Sequence, residues 1–208
     1  MPDFEVERRH FEGGRRWIAG LDEAGRGALC GPVVAAAVVF PPEWISGSGP
    51  DWIGRIDDSK RLAPRRRETL ARSIRRQASF GLGMASSGEV DGMNVLRATH
   101  EAMRRAVAAL PIAPEVVLVD GYPVRNFPWP QEALIHGDRR SLAVAAASIL
   151  AKVSRDRFMT FFGRRYPGYG MDRHKGYGTR AHYEALALFG PTPFHRRSFN
   201  LQYRKKTS

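Results

Sequence analysis

Cysteine is almost missing from this chain of 208 residues: Cys30 stands alone. One thiol excludes an internal disulfide framework and any zinc site built on several cysteines. It makes a reducing, cytoplasmic setting the expectation. Long apolar runs are missing as well. The longest, Val33–Phe40 and Ala143–Ala151, fall far short of the ~20 residues that span a bilayer, so the chain reads as soluble, with no membrane partner. The first residues set Asp3, Glu5, Glu7, Arg8 and Arg9 around no apolar core, which excludes a secretory signal there. There is no Gly-x-x-x-x-Gly-Lys-Ser/Thr phosphate loop and no Gly-x-Ser-x-Gly elbow. His100-Glu101 lacks the second histidine of a zinc-protease helix, and the six scattered histidines read as solvated or structural. Acids are scarce against bases: 21 Asp+Glu face 33 Lys+Arg, a net charge of +12. That balance favours a polyanionic partner.

What remains is enough to fold. The hydrophobic fraction of 43% supports a real core, and the length allows one domain with an appendage. Trp17–Leu21, Val33–Phe40 and Phe80–Ser86 read as strands, the first two as antiparallel neighbours. Pro64 opens a basic helix over Arg65–Gln77. Asn94 caps a helix to about Leu110, with Leu96, Met103, Val107 and Leu110 on one face. Val116–Val119 is a buried central strand, and Ala133–His136 reads as another. Ser141–Phe162 is the longest helix, and Arg180–Phe189 a later one. Three strands followed by alternating helices and strands imply an α/β fold, a mixed sheet flanked by helices. Residues 11–163 form the expected main domain. Residues 164–208 form a small, basic, helical C-terminal part, with ten Lys/Arg against Asp172 and Glu184.

The sharpest local signal is Asp22-Glu23 at the end of an apolar strand, followed by Gly25-Arg26-Gly27. Adjacent strand residues point to opposite faces, so both acids serve one site only where the strand ends. Gly25-x-Gly27-x-x-x-Gly31 is not a dinucleotide loop, because Pro32 and a Val/Ala run follow where a helix would have to open. Asp120 follows Val116–Val119, and Asp138 precedes the long helix. Each alone is an ordinary turn or cap residue. Together, carboxylates at the ends of neighbouring strands make an oxygen-rich pocket that repels itself unless a divalent cation fills it. Hard oxygen donors suit Mg²⁺ or Mn²⁺, and two such ions about 4 Å apart can clamp a phosphodiester for in-line displacement. Ser148, Lys152 and Asp156 repeat every four residues as a polar stripe. It is either a solvated face with a Lys–Asp pair or a stripe that points Lys152 toward a bound phosphate or the acidic site. His174-Lys175-Gly176-Tyr177-Gly178-Thr179 is either a mobile loop or a ligand contact with the Tyr177 ring as its platform. Asp58-Ser59-Lys60-Arg61 and His195-Arg196-Arg197-Ser198-Phe199 are cation and hydroxyl clusters able to hold phosphates.

These motifs, taken in order, resemble the bacterial ribonuclease HII family. The matching segments are Ile18–Gly27 with Gly31–Val38, Asp58-Ser59-Lys60, Val119-Asp120-Gly121, Gly137-Asp138, Ala146–Asp156, His174–Tyr177 and Arg196–Phe199. Ala28 and Cys30 stand where the family more often has proline and alanine. Residues 46–50 and 122–131 look particular to this chain. The resemblance implies a ribonuclease H-like fold with a five-stranded mixed sheet, and metal ligation by Asp22, Glu23, Asp120 and Asp138. It implies an endonuclease that hydrolyses the RNA strand of RNA–DNA hybrids. It also implies incision 5′ of ribonucleotides embedded in duplex DNA, as in ribonucleotide excision repair, leaving 3′-hydroxyl and 5′-phosphate ends. Gly25, Arg26, Gly27 and Tyr177 would recognise the ribonucleotide–deoxyribonucleotide junction, where only the 2′-hydroxyl tells RNA from DNA. Arg26, Ser59, Lys60, Ser148, Lys152, Arg196 and Arg197 would hold the substrate. No sliding-clamp peptide is evident at the C-terminus, and a monomer is expected. The rivals are a nuclease that prefers long RNA tracts and a nucleic-acid-binding protein without catalysis; four intact acids count against the latter.

Overall fold

A computed structural model describes residues 1–202. Its centre is a five-stranded sheet. β1 (Ile18–Ala24), β2 (Val33–Val39) and β3 (Ser79–Ala85) form an antiparallel meander, and β4 (Val116–Asp120) and β5 (Gln131–Leu134) add parallel strands on the other side of β1. The order is β3-β2-β1-β4-β5, the mixed sheet that the strand pattern implied. Period-2 alternation sends residues of each strand to two different cores. Ile18, Val116 and Leu118 join one apolar cluster, and Ala19, Leu21, Val117 and Val119 the other.

The first cluster is covered by α1 (Glu5–Glu12), α2 (Pro64–Gln77) and the long α5 (Leu142–Arg165). The alanine-rich first half of α5 is buried all round, so it shows no amphipathic stripe. Gly20 makes that contact possible: a Cβ there would lie 2.1 Å from the Ala143 carbonyl carbon. The second cluster lies under α4 (Val95–Ala108) and beside α3 (Ser87–Met93). Asn94 caps α4, but Leu96 is 44% exposed; small residues, Ala98, Ala102 and Ala106, form the buried face with Met103 and Val107. α1 and α3 escaped the sequence reading because each is a short, polar helix. α3 nevertheless carries a Ser86–Glu89 capping box. Glu7 of α1 is buried and accepts from Ser141 Oγ (2.7 Å) and Ala143 N (2.8 Å), which ties the N-terminus to the start of α5.

After α5, which runs past the expected boundary at 163, come α6 (Met171–His174) and α7 (Arg180–Phe189). They share a third apolar cluster with α5 and with the β1–β2 connection: Leu29, Cys30, Met159, Phe162, Tyr169 and Met171 meet there. Among the described residues no helix is long and apolar enough to cross a membrane. The chain end on which a sliding-clamp peptide was sought lies outside the described residues.

Candidate active site

The register of β1 and β4 explains why two distant acids become neighbours. The parallel pairing runs Ile18–Val116, Ala19–Val117, Gly20–Leu118 and Leu21–Val119. One step further stand Asp22 and Asp120. By alternation both share the face of Gly20 and Leu118, the face covered by α5. Pairing with β4 stops at Leu21, while pairing with β2 continues through Ala24. The strand end expected at Asp22-Glu23 therefore exists on one side only. Asp138 sits on a single 3-10 turn, Gly137–Arg139, and Asp120 Oδ1 accepts the Gly137 amide at 2.7 Å, which fastens that turn to β4.

The electrostatics are those of crowded carboxylates. Asp22 is held well above the usual carboxylate range, first by burial and then by the charges of Glu23 and Asp120. Glu23 is raised by burial, against the lowering effect of Arg26 at 3.1 Å. Burial, Asp120 and Asp58 raise Asp138. Ser148 lies beside Asp22 and opposes the rise of its pKa. Ser59 Oγ and Ser148 Oγ lie 2.9 Å apart, and either hydroxyl can donate. Among the described residues no three acidic, histidine or cysteine side chains are arranged as a finished ion site. The donor set still fits a hard cation: oxygen ligands, partly desolvated, whose mutual repulsion a divalent charge would relieve.

A cavity of about 410 Å³ opens over this cluster. Asp22, Glu23 and Asp120 line it together with Gly25, Arg26, Ser59, Lys60, Ser148, Lys152 and Tyr177. Ten of the residues singled out in the sequence thus meet on one wall. Lys152 Nζ pairs with Asp156 Oδ1 at 2.8 Å, and the residue also lines the cavity. The Tyr177 ring centroid lies 5.6 Å from Lys152 Nζ and 5.1 Å from the Arg155 guanidinium carbon. Asp138 does not line the cavity; it adjoins through Asp120 and Asp58. Gly27 is exposed beyond the wall.

The family model for ribonuclease HII matches residues 19–202. The chain belongs to the ribonuclease HII family. It is an endonuclease of that family, and its motif order had implied this. The Ribonuclease HII of Syntrophotalea carbinolica is 53% identical over 194 residues, 93% of this chain and 90% of that protein. The one from Geobacillus kaustophilus is 50% identical over 194 residues, 93% of this chain and 72% of that protein. The ribonuclease H2 of Pyrococcus horikoshii OT3 superimposes with a TM-score of 0.73 at 26% identity, covering 89% of this chain and 94% of that one. The ribonuclease H-like fold follows from these likenesses.

One expectation needs correction. Arg196 was assigned to the phosphate backbone, but it is fully buried and its guanidinium is spent on carbonyls. Nη1 donates to Arg26 O (2.7 Å), Nη2 to Gly25 O (2.8 Å), and Nη2 and Nε to Gly31 O (2.9 and 3.1 Å). Burial and the neighbouring Arg155 pull its pKa down to about 10. It braces the glycine turn from inside. Arg197 is exposed, and its backbone amide donates to Asp91. Sequence reasoning also missed Arg155, which is fully buried and donates to the carbonyls of Pro32, Lys175 and Cys30. Gly25 shows why the turn needs a glycine: φ is +96°, and a Cβ would lie 2.0 Å from Arg155 Nε. Asp58, named in the sequence only as part of its cluster, is a brace as well. It accepts from the Lys60 amide and from Arg139, joining the Ser59–Lys60 loop to the Asp138 turn.

Proposed function

We propose that the protein hydrolyses the RNA strand of RNA–DNA hybrids and incises duplex DNA on the 5′ side of an embedded ribonucleotide, leaving 3′-hydroxyl and 5′-phosphate ends. The observation that carries this reading is the shared cavity. Acids that can hold cations, a glycine turn and a tyrosine able to inspect a sugar all line one wall. Asp22, Glu23, Asp120 and Asp138 would hold Mg²⁺ or Mn²⁺. Bound there, a divalent ion supplies positive charge to the phosphodiester and lowers the pKa of water.

The chain's own groups do the rest. Ser148, hydrogen-bonded to Ser59, lies beside Asp22 and favours its charged form. Lys152, Lys60 and Arg26 set positive charge where the substrate backbone would lie. The turn at Gly25–Gly27 lets backbone groups approach a 2′-hydroxyl. The Tyr177 ring, backed by Arg155 and Lys152, would pack on the following sugar, where an added 2′-hydroxyl is disfavoured. The deciding experiment offers matched all-DNA, single-ribonucleotide and long-RNA-tract duplexes, with Mg²⁺ or with EDTA. Cleavage 5′ of the single ribonucleotide, an inert all-DNA duplex and silence in EDTA are expected. Cleavage confined to the long tract would reduce the enzyme to a hybrid nuclease.

A further inference from the structure

Three of the six histidines, far apart in sequence, gather beside the loop that carries Tyr177. His174 and His182 stack with ring centroids 4.3 Å apart and 21° between their planes. His182 and His195 are 0% and 1% exposed, and their Nε2 atoms lie 2.9 Å apart. Nothing in the hydrolytic reading uses them.

The hydrogen bonds fix where each proton sits. His182 Nδ1 faces the Tyr177 carbonyl at 3.0 Å. A carbonyl only accepts, so Nδ1 carries a proton and Nε2 of the neutral ring presents its lone pair. His195 Nε2 must then be the donor across the 2.9 Å contact. Its Nδ1 is left as an acceptor, and the Thr192 amide (2.9 Å) and hydroxyl (2.8 Å) point at it. The result is an unbroken line of donations from Thr192 through His195 and His182 to the Tyr177 carbonyl. A second proton on either ring would face another N–H. Donations that all run one way polarise each other.

The line joins two segments that already clasp the chain just after the glycine turn. Ala28 bridges to Tyr177 and Cys30 to His195. Leu29 donates to Gly176 at 2.8 Å and accepts from the Arg196 amide at 2.8 Å. The residue next to His195, Arg196, grips the carbonyls of Gly25, Arg26 and Gly31. Tyr177 and the turn are therefore both referenced to the dipeptide His195-Arg196.

We propose that His182 and His195 are positioning residues for ribonucleotide recognition: their paired imidazoles hold the Tyr177 backbone, and with it the ring, at a set distance from the Gly25–Gly27 turn. This rests on the reading of Tyr177 as an inspector of the junction sugar. Loss of the pair affects a single embedded ribonucleotide most, because there one junction is the whole signal. A long RNA tract offers many registers and tolerates a displaced ring.

The test compares kcat/KM on a duplex with one ribonucleotide and on a long hybrid. His182→Phe keeps a ring and removes both hydrogen bonds. About a tenfold loss is expected on the single ribonucleotide, with less than about twofold on the hybrid. Adding His182→Phe to Tyr177→Ala should change the ratio no further, since both act through one ring. His182→Asn puts an amide N–H where Nδ1 was and should hold the ratio within about twofold of wild type. Equal losses on the two substrates, or losses that multiply with Tyr177→Ala, overturn the proposal. If His182→Phe does not fold, His195→Phe, which removes the donor to His182 Nε2, decides in its place: a ratio lowered toward that of Tyr177→Ala sustains the proposal, and an unchanged ratio overturns it. A wild-type enzyme that ignores the single ribonucleotide fails at the earlier step and removes the reading of Tyr177 itself.

Discussion

Replacing Arg196 and Arg197 one at a time separates a structural charge from a phosphate contact. Arg196→Ala orphans one buried carbonyl, that of Gly31; the Gly25 carbonyl keeps the Ala28 amide at 3.3 Å. The orphaned group costs about 2 kcal/mol. The emptied space adds about 3 kcal/mol, by analogy with large-to-alanine changes in cores. Against this, removing a buried charge whose pKa is pulled from 12.5 to about 10 relieves about 3 kcal/mol of desolvation. The net loss is about 2 kcal/mol, which lowers Tm by roughly 4–8 °C in a chain of this length. Arg197→Ala should leave Tm almost unchanged and reduce the slope of log K against log salt by about 0.9, one phosphate contact. The assays are a thermal melt and fluorescence anisotropy of a labelled, uncleavable duplex across a salt series. An Arg196→Ala protein with wild-type Tm and a slope reduced by one would refute the reasoning and return Arg196 to the phosphate backbone.

Other outcomes follow from the same geometry. Asp120→Asn keeps shape and the Gly137 contact but removes a charge from the cluster; most cleavage should vanish while duplex binding is retained or improved, and near-wild-type turnover in saturating Mg²⁺ would dismiss the acidic site. Gly20→Ala drives a Cβ into the backbone of α5 and should cost about 3 kcal/mol in urea unfolding, with activity falling as Asp22 is pushed from Ser148; an unchanged urea midpoint would count against the close packing. His182 and His195 are held neutral by burial, at about 4 against an ordinary 6.5. Between these values the unfolded chain binds more protons than the folded one. The stability is thus complete above about pH 6.5 and is lost as pH falls toward about 4, by roughly 3 kcal/mol for each ring. Urea unfolding of wild type and His182→Asn across that range should show a shallower loss in the variant; parallel curves would contradict buried neutral rings.

The paired acids were legible because strand alternation and an apolar run before each acid are local signals. Val116–Val119 announces a buried strand, and Asp120 is simply the next residue. The chemistry of Ser148 and Lys152 was half legible: helical spacing put them on one stripe, but only the fold says that the stripe faces β1. Arg155 and Arg196 were not legible. An arginine in a basic sequence reads as surface charge, and nothing in its spacing reveals that carbonyls from a distant loop will surround it. The histidine line was hidden for the same reason. Residues 174, 182 and 195 share no period, and their meeting depends on how α6 and α7 fold back over the β1–β2 connection.

The parallel seam between β1 and β4 also bears on how the molecule is made. β1, β2 and β3 are consecutive neighbours and can pair as soon as the first 85 residues are available. The other edge of β1 waits for β4, which pairs residue 21 with residue 119. During synthesis that edge, apolar and already aligned by β2, stays open while roughly eighty further residues emerge at about 5–20 per second. An unpaired, hydrophobic strand edge is a template for pairing with other chains. The edge of the strand that carries Asp22 and Glu23 is thus an aggregation-prone surface of the nascent chain, and the arrival of β4 closes it as Asp120 comes beside Asp22.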